Sequence, residues 1–291
     1  MNRTRALLLA AAVPLLIVIV LLASAVLRGS DRDLAQRTTD GPRSASPLAF
    51  RPRGARRVDV GRGPTSAAIF RPADARDPGP IVVFLHGWVA VDPRFYGAWI
   101  GHLVRRGATV IYPAYQEPPF LDTVTPLANT LVALRLAFEA VPPTGRRLVV
   151  AGHSAGGALA ADYAASARAA QLPSPAAVFS VYPGRALRGI SLRIPTVDAR
   201  NIPPGTRVVV LAGARDRVVG TGFARTIART ATRANASLRI VRDRRVDTHG
   251  APQGSSPAAR RTFWAPLDRL LSPPGQTPAS GSVPSQVPAE P

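Results

Sequence analysis

The sequence predicts an α/β domain, built on a mostly parallel sheet with helices on both faces and preceded by one membrane-spanning helix. Three observations predict it. Between residues 54 and 271, short apolar runs rich in β-formers alternate with longer stretches of helical character, the pattern left by a parallel sheet and its crossover helices. The chain has 291 residues, 46% of them apolar, enough for one large core and too few for a second full domain. Ahead of all this stands an uncharged stretch from Ala6 to Leu27.

That stretch follows Arg3 and Arg5. As a helix rising ~1.5 Å per residue it would span the ~30 Å hydrocarbon core of a bilayer, where Pro14 is tolerated. Residues 1–28 are therefore expected to form a signal anchor. Ala23-Ser24-Ala25 would also suit cleavage of a signal peptide, but the apolar run exceeds the usual ~7–15 residues of such peptides. Secretion after cleavage is the alternative. Positive charge before the segment and balanced charge after it (Arg28, Asp31, Arg32, Asp33) retain the N-terminus inside and send the domain to the extracytoplasmic side, in the cell envelope. Residues 29–53 read as a polar linker. The Pro/Ser/Gly-rich tail, 272–291, has too little apolar surface to offset its ordering entropy and is expected to be disordered.

Net charge is +20, and all 37 basic residues are Arg. Such an excess could attract nucleic acid or an anionic surface. An Ala-, Arg- and Pro-rich chain without Lys is also what a GC-rich coding bias produces. The arginines are spread along the chain, with a modest cluster at Arg51, Arg53, Arg56, Arg57 and Arg62 and no interleaved aromatics to stack bases, so nucleic acid is not an expected partner. An anionic lipid or cell-surface polymer fits better. The absence of Cys excludes disulfides, a thiolate nucleophile and Cys-based metal sites.

The domain opens on a hairpin, Arg57–Val60 and Ala67–Phe70, around Gly61-Arg62-Gly63-Pro64. Buried strands follow as continuous apolar runs at Ile81–Leu85, Thr109–Tyr112, Leu148–Ala151, Ala177–Val181 and Val208–Leu211, with a shorter last strand at Leu238–Val241. Helices are expected over Phe95–Arg106, Val124–Glu139 (capped by Asp122 or Thr123), Ala155–Ala170, Gly222–Ala234 and Ala258–Leu271. Pro195 and Pro203-Pro204 leave only the loop Gly184–Pro203 for any lid.

Chemistry concentrates where these strands end. Gly152-His153-Ser154-Ala155-Gly156 joins the Leu148 strand to an Ala-rich helix. That is the context in which a G-x-S-x-G turn presents its serine outward, small residues at Gly152 and Gly156 permitting strand and helix to approach. A serine hydroxyl needs a base to accept its proton, and the oxyanion it creates needs fixed N–H donors. The Ala155 N–H, at the positive end of the helix, is one candidate donor. The Trp88 N–H, in the loop His86-Gly87-Trp88 after the Ile81 strand, is the other. Asp216 follows the Val208 strand directly, so its carboxylate can stand beside the turn; Asp198, Asp243 and Asp247 are rivals less well placed. Of four histidines, His86 and His153 belong to turns and His102 to an amphipathic helix. His249 remains as the base, 33 residues beyond Asp216 and in the chain order Ser, Asp, His. Trp88, Trp99, Tyr115 and Phe120 could line an acyl pocket, though core packing is the default for most of them.

With these four separated motifs, the region from Arg57 to Leu271 resembles the α/β-hydrolase superfamily, in particular small bacterial esterases and dienelactone-hydrolase-like or lipase-like members. The resemblance implies Ser154 as nucleophile, His249 as base, Asp216 as its orienting acid and the Trp88 and Ala155 amides as oxyanion hole, with no cofactor and a small-molecule or lipid ester as substrate. It departs from dienelactone hydrolases in lacking their cysteine nucleophile, and it shows no large cap domain. A peptidase is disfavoured, since no segment is large enough for a substrate-selecting second domain, and two further alternatives stay open. The same residues could transfer an acyl group to an envelope alcohol instead of water, and the fold could serve as a catalytically silent binding protein. The sequence carries no sign of oligomeric state.

Overall fold

The computed structural model describes residues 50–74, 79–187, 190–191 and 194–272. The expected anchor (1–28), nearly all of the linker and the tail beyond Ser272 lie outside the described residues. Among the described residues no helix is long and apolar enough to cross a membrane. Phe50 and Pro52, at the end of the expected linker, belong to the packed domain: Phe50 meets Phe70 edge-on at 5.8 Å and Pro52 is buried.

The strands are β1 (Ala55–Val60), β2 (Ala67–Pro72), β3 (Ile81–Leu85), β4 (Thr109–Pro113), β5 (Leu148–His153), β6 (Ala177–Val181), β7 (Ala186–Leu187), β8 (Ile190–Ser191), β9 (Arg207–Gly213) and β10 (Asn235–Val241). Eight form one sheet in the order β1-β2-β4-β3-β5-β6-β9-β10. β1 and β2 pair antiparallel, β2 is antiparallel to β4, and every later pairing is parallel. The helices are α1 (Gly97–Arg105), α2 (Pro126–Ala140), α3 (Ala155–Ser166), α4 (Gly222–Thr230) and a final run, α5 (257–271), whose middle turn Arg260–Trp264 is π-helical.

Alternation along the strands divides the core in two, because successive side chains leave opposite faces of a sheet. Val82 and Phe84 of β3 and Val149 and Ala151 of β5 join Tyr96, Trp99, Phe263 and Trp264 on the α1/α5 side. Val83, Leu85 and Val150 join Leu134, Leu159 and Ile227 on the side of α2, α3 and α4. Both faces being covered explains why the central strands read as unbroken apolar runs. β10 differs. It pairs with β9 alone and alternates exposed and half-buried residues, so its first half, Asn235-Ala236-Ser237, lacks the apolar signature expected only from Leu238 onward.

Helix limits depart from expectation for local reasons. Asp122 Oδ1 accepts from the Val124 and Thr125 N–H groups at 2.8 and 3.1 Å. It closes a turn ahead of α2, and the N-cap falls on Thr125, followed by Pro126 at the first helical position where its missing N–H costs nothing. α1 begins two residues later than expected, after a 3₁₀ turn that Asp92 caps by accepting from Arg94 N–H at 2.9 Å. α3 ends at Ser166, short of Ala170, where Gln171 takes a positive φ of 54° and Leu172 N–H returns to the Ala167 carbonyl.

The loop expected as a possible lid holds the small β7–β8 hairpin and a 3₁₀ turn at Ala199–Asn201. Arg185 ties it to α3 through an ion pair with the buried Asp162, while its guanidinium stacks over Phe223 at 5.0 Å.

Candidate active site

Ser154 occupies the turn between β5 and α3 at φ 59°, ψ −124°, a conformation that costs a non-glycine residue about 1–3 kcal/mol and persists only where its surroundings enforce it. The two glycines of the motif provide the enforcement. A Cβ on Gly152 would lie 2.1 Å from the Gly156 carbonyl oxygen, and one on Gly156 would lie 2.1 and 2.3 Å from the carbonyl oxygens of Leu85 and His86. Strand, helix and oxyanion loop are thus pressed together with only backbone between them.

The topology brings Ser154, Asp216 and His249 to the carboxyl edge of the sheet, after β5, β9 and β10. His249 Nε2 lies 2.9 Å from Ser154 Oγ, and His249 Nδ1 lies 2.7 Å from Asp216 Oδ2. A carboxylate can only accept, so Nδ1 carries the proton and Nε2 presents its lone pair to the hydroxyl. Asp216 is aimed by its other oxygen, which accepts from the N–H groups of Val218 and Val219 at 2.9 and 3.1 Å. Ser154 and Asp216 are buried, while His249 keeps 17% of its side chain exposed, open to the proton exchange that a base requires.

The rival acids are committed elsewhere. Asp198 caps a 3₁₀ turn through Arg200 N–H, and Asp243 pairs with Arg245. Asp247 accepts from Arg215 Nε and Nη2 at 2.8–3.0 Å. Arg215 thereby joins the loop bearing Asp216 to the loop bearing His249. Hydrogen bonding from Arg215 holds the Asp247 carboxyl below its ordinary range. The pairing therefore contributes stability in full above the unfolded value of ~3.9 and loses it as pH falls through the lower folded value. Arg215→Gln is expected to lower the thermal midpoint at pH 7; a pH series of melting curves should show the gap from wild type closing below about pH 4.

The oxyanion loop faces the serine: a Cβ on Gly87 would stand 3.4 Å from Ser154 Cβ. The Trp88 and Ala155 N–H groups make no hydrogen bond with other described residues. The loop is fixed from behind. Tyr115 Oη donates to the His86 carbonyl at 2.6 Å and its ring stacks on His86 at 4.1 Å, and Val89 N–H donates to Gln116 Oε1 at 3.2 Å. Burial pushes the His86 imidazole down to about 4, so it is neutral at physiological pH. Tyr115 supports the loop and lines no acyl pocket; Trp99, packed on Phe84 and Trp264, belongs to the core.

Tyr96, which sequence reasoning passed over, and His153, read as a residue of the serine turn, join these parts. Gly87 N–H donates to Tyr96 Oη at 3.0 Å, Tyr96 Oη lies 2.8 Å from His153 Nδ1, and His153 Nε2 lies 2.9 Å from the His249 carbonyl oxygen. The carbonyl can only accept, so His153 Nε2 carries the proton and Nδ1 accepts from the tyrosine. Burial, with His249 close by, pushes the His153 imidazole well below its ordinary value, which keeps it neutral. His153, expected merely to occupy the turn, therefore links, through Tyr96, the Gly87 loop to the backbone of His249. No sequence pattern points to Tyr96, whose partner His153 is 57 residues away. Tyr96→Phe and His153→Leu are each expected to lower kcat about 10- to 100-fold with little change in KM, because they misplace groups used in the transition state; steady-state ester kinetics checks this.

Among the described residues no cluster of three or more His, Cys, Asp or Glu gathers that could hold a metal. His102, in α1, pairs with Asp268 of α5 at 2.9 Å, away from the site.

A sequence profile of the α/β-hydrolase fold matches residues 82–214, which span the oxyanion loop, the serine turn and β9. The chain has the α/β-hydrolase fold. Solved structures agree on this fold. A thermostable esterase from Pseudomonas putida superposes with a TM-score of 0.58 at 19% identity, covering 82% of this chain and 94% of its own. An esterase/lipase from an uncultured bacterium gives 0.58 at 16% identity, covering 84% and 97%. An esterase from Rhizomucor miehei gives 0.58 at 17% identity, covering 77% and 85%. No curated protein sequence matches this chain.

Proposed function

We propose that this hydrolase cleaves carboxylic esters by nucleophilic catalysis, with Ser154, His249 and Asp216 as its triad. The observation that carries the reading is the continuous relay from Asp216 Oδ2 through His249 to Ser154 Oγ, at 2.7 and 2.9 Å. The esterases among its structural neighbours support an ester as the substrate class.

His249 Nε2 takes the hydroxyl proton as Ser154 Oγ attacks the ester carbonyl carbon, and the carbonyl π-electrons move onto oxygen. The Trp88 and Ala155 N–H groups receive that oxyanion, each such donor being worth ~3 kcal/mol in a transition state. Collapse expels the alkoxide, which takes the proton from His249 and leaves an acyl-serine. Water, deprotonated by the same nitrogen, releases the acid and restores the hydroxyl. Asp216 stays ionised throughout and stabilises the imidazolium. The relay uses no cofactor at any step.

The uncharged segment Ala6–Leu27 and the charges around it support a membrane-anchored enzyme whose catalytic domain is extracytoplasmic. Hydrolysis of p-nitrophenyl esters of graded acyl length, with product analysis in the presence of glycerol, tests the reading. Release of free acid is the expected product. A predominance of acyl-glycerol would assign acyl transfer, and no turnover of any ester would remove the proposal.

A further inference from the structure

The nucleophile stands at the carboxyl edge of the sheet. A different chemistry occupies the opposite edge, where the parallel strands begin. Arginines that end helices there, such as Arg105 and Arg229, have a sufficient reason in the negative ends of the helix dipoles. Arg71, Arg146, Arg147 and Arg207 do not, because none lies in a helix: Arg71 is in β2, Arg146 and Arg147 immediately precede β5, and Arg207 opens β9.

Arg146 donates from Nε to the Gly79 carbonyl at 2.7 Å and from Nη2 to Thr109 Oγ1 at 2.8 Å. Arg147 donates from Nε to the Leu270 carbonyl at 2.6 Å. Both side chains are half-buried. All three acceptors are neutral, so they hold each guanidinium in place without neutralising its charge. Among the described residues, none of the four arginines has a carboxylate within ion-pairing distance. Like charges face one another instead: after burial, the chief influence disfavouring the charged form is Arg71 on Arg146 and Arg207 on Arg147.

These two half-buried arginines line a concavity of about 390 Å³ together with Pro143, Thr144, Pro173 and Ser174. Arg146 Nη1 and both terminal nitrogens of Arg147 make no hydrogen bond with other described residues. A coding bias toward Arg explains how many arginines the chain has. It does not explain two of them pinned by neutral acceptors in the wall of one concavity. Planar guanidinium forks with N–H groups to spare suit a tetrahedral oxyanion, and the concavity has room for one such group with a small substituent. The carboxyl end of α2 lies near and disfavours an anion; the full positive charges of Arg146 and Arg147 in the wall outweigh that half charge.

We propose that this concavity, on the edge opposite Ser154, binds a phosphate group, either free phosphate or the phosphodiester of a glycerol headgroup. The proposal does not depend on the catalytic reading. A bound headgroup would set the domain on an anionic leaflet with its nucleophile edge turned outward.

Calorimetric titration of the full chain in non-ionic detergent, at constant ionic strength, tests it with inorganic phosphate and with glycerophosphoglycerol as probes. Saturable binding at one site per chain is expected, and the tighter of the two probes identifies the source. Arg147→Gln should weaken binding by about tenfold or more. Since that variant also loses the Leu270 contact, Arg71→Gln/Arg207→Gln provides a second test on exposed side chains. It should weaken binding several-fold and leave the thermal midpoint and ester hydrolysis unchanged. Absence of saturable binding by both probes, or unchanged affinity in both variants, would overturn the proposal.

Discussion

Ser154→Ala is expected to lower kcat for ester hydrolysis by a factor on the order of 10⁴ to 10⁶, with KM nearly unchanged. The hydroxyl is the only group of the relay that bonds to the substrate carbon, whereas substrate binding rests on pocket walls that the substitution leaves in place. The residual rate reflects the oxyanion donors and binding alone. The same position yields a stability test. Because Ser154 is held at φ 59°, ψ −124°, a conformation natural only to glycine, Ser154→Gly should be more stable than Ser154→Ala by about 1 kcal/mol. Steady-state kinetics with p-nitrophenyl acetate and thermal melts of both variants check the pair. Activity equal to wild type in either variant would contradict the assignment.

Asp216→Asn should cost about 10³ to 10⁴ in kcat at pH 7 while leaving the fold intact. The amide nitrogen of Asn would donate to His249 Nδ1, driving the proton onto Nε2, and Nε2 would then have no lone pair for Ser154. An amide also leaves the imidazolium of the transition state without a counter-charge. The turn should survive, because the side-chain oxygen that accepts from Val218 and Val219 is kept. The pH profile separates this effect from simple unfolding: the loss should shrink at high pH, where hydroxide replaces the base, while the melting curve stays that of the wild type. A loss of less than tenfold would mean that another acid orients His249.

Much of this was legible in the sequence, and the reasons are particular. Gly152 and Gly156 flank Ser154 because backbone lies about 2 Å from where their side chains would be. A motif so constrained stands out wherever it follows an apolar strand. The place of Asp216 and His249 after strands brings them beside Ser154, since a parallel sheet delivers every such loop to one edge. Features set by contacts between distant residues were not visible. Tyr96 lies in a 3₁₀ turn before α1, and nothing nearby marks it as the acceptor for Gly87 N–H. His153 looked like a turn residue because both of its hydrogen-bond partners come from other parts of the chain. Edge strand β10 was half seen, since its solvent-facing positions need no apolar residue. Arg215, a plausible neighbour for Asp216, instead clamps Asp247, a choice settled only when two loops meet.

The central claim is that one serine, Ser154, is the nucleophile. Reaction of the full chain with a fluorophosphonate, followed by proteolysis and peptide mass mapping, tests it most directly. The predicted result is one phosphonyl adduct per chain, on Ser154, absent from Ser154→Ala and strongly slowed in Asp216→Asn. An adduct on another residue, or none on an enzyme that hydrolyses esters, would contradict it.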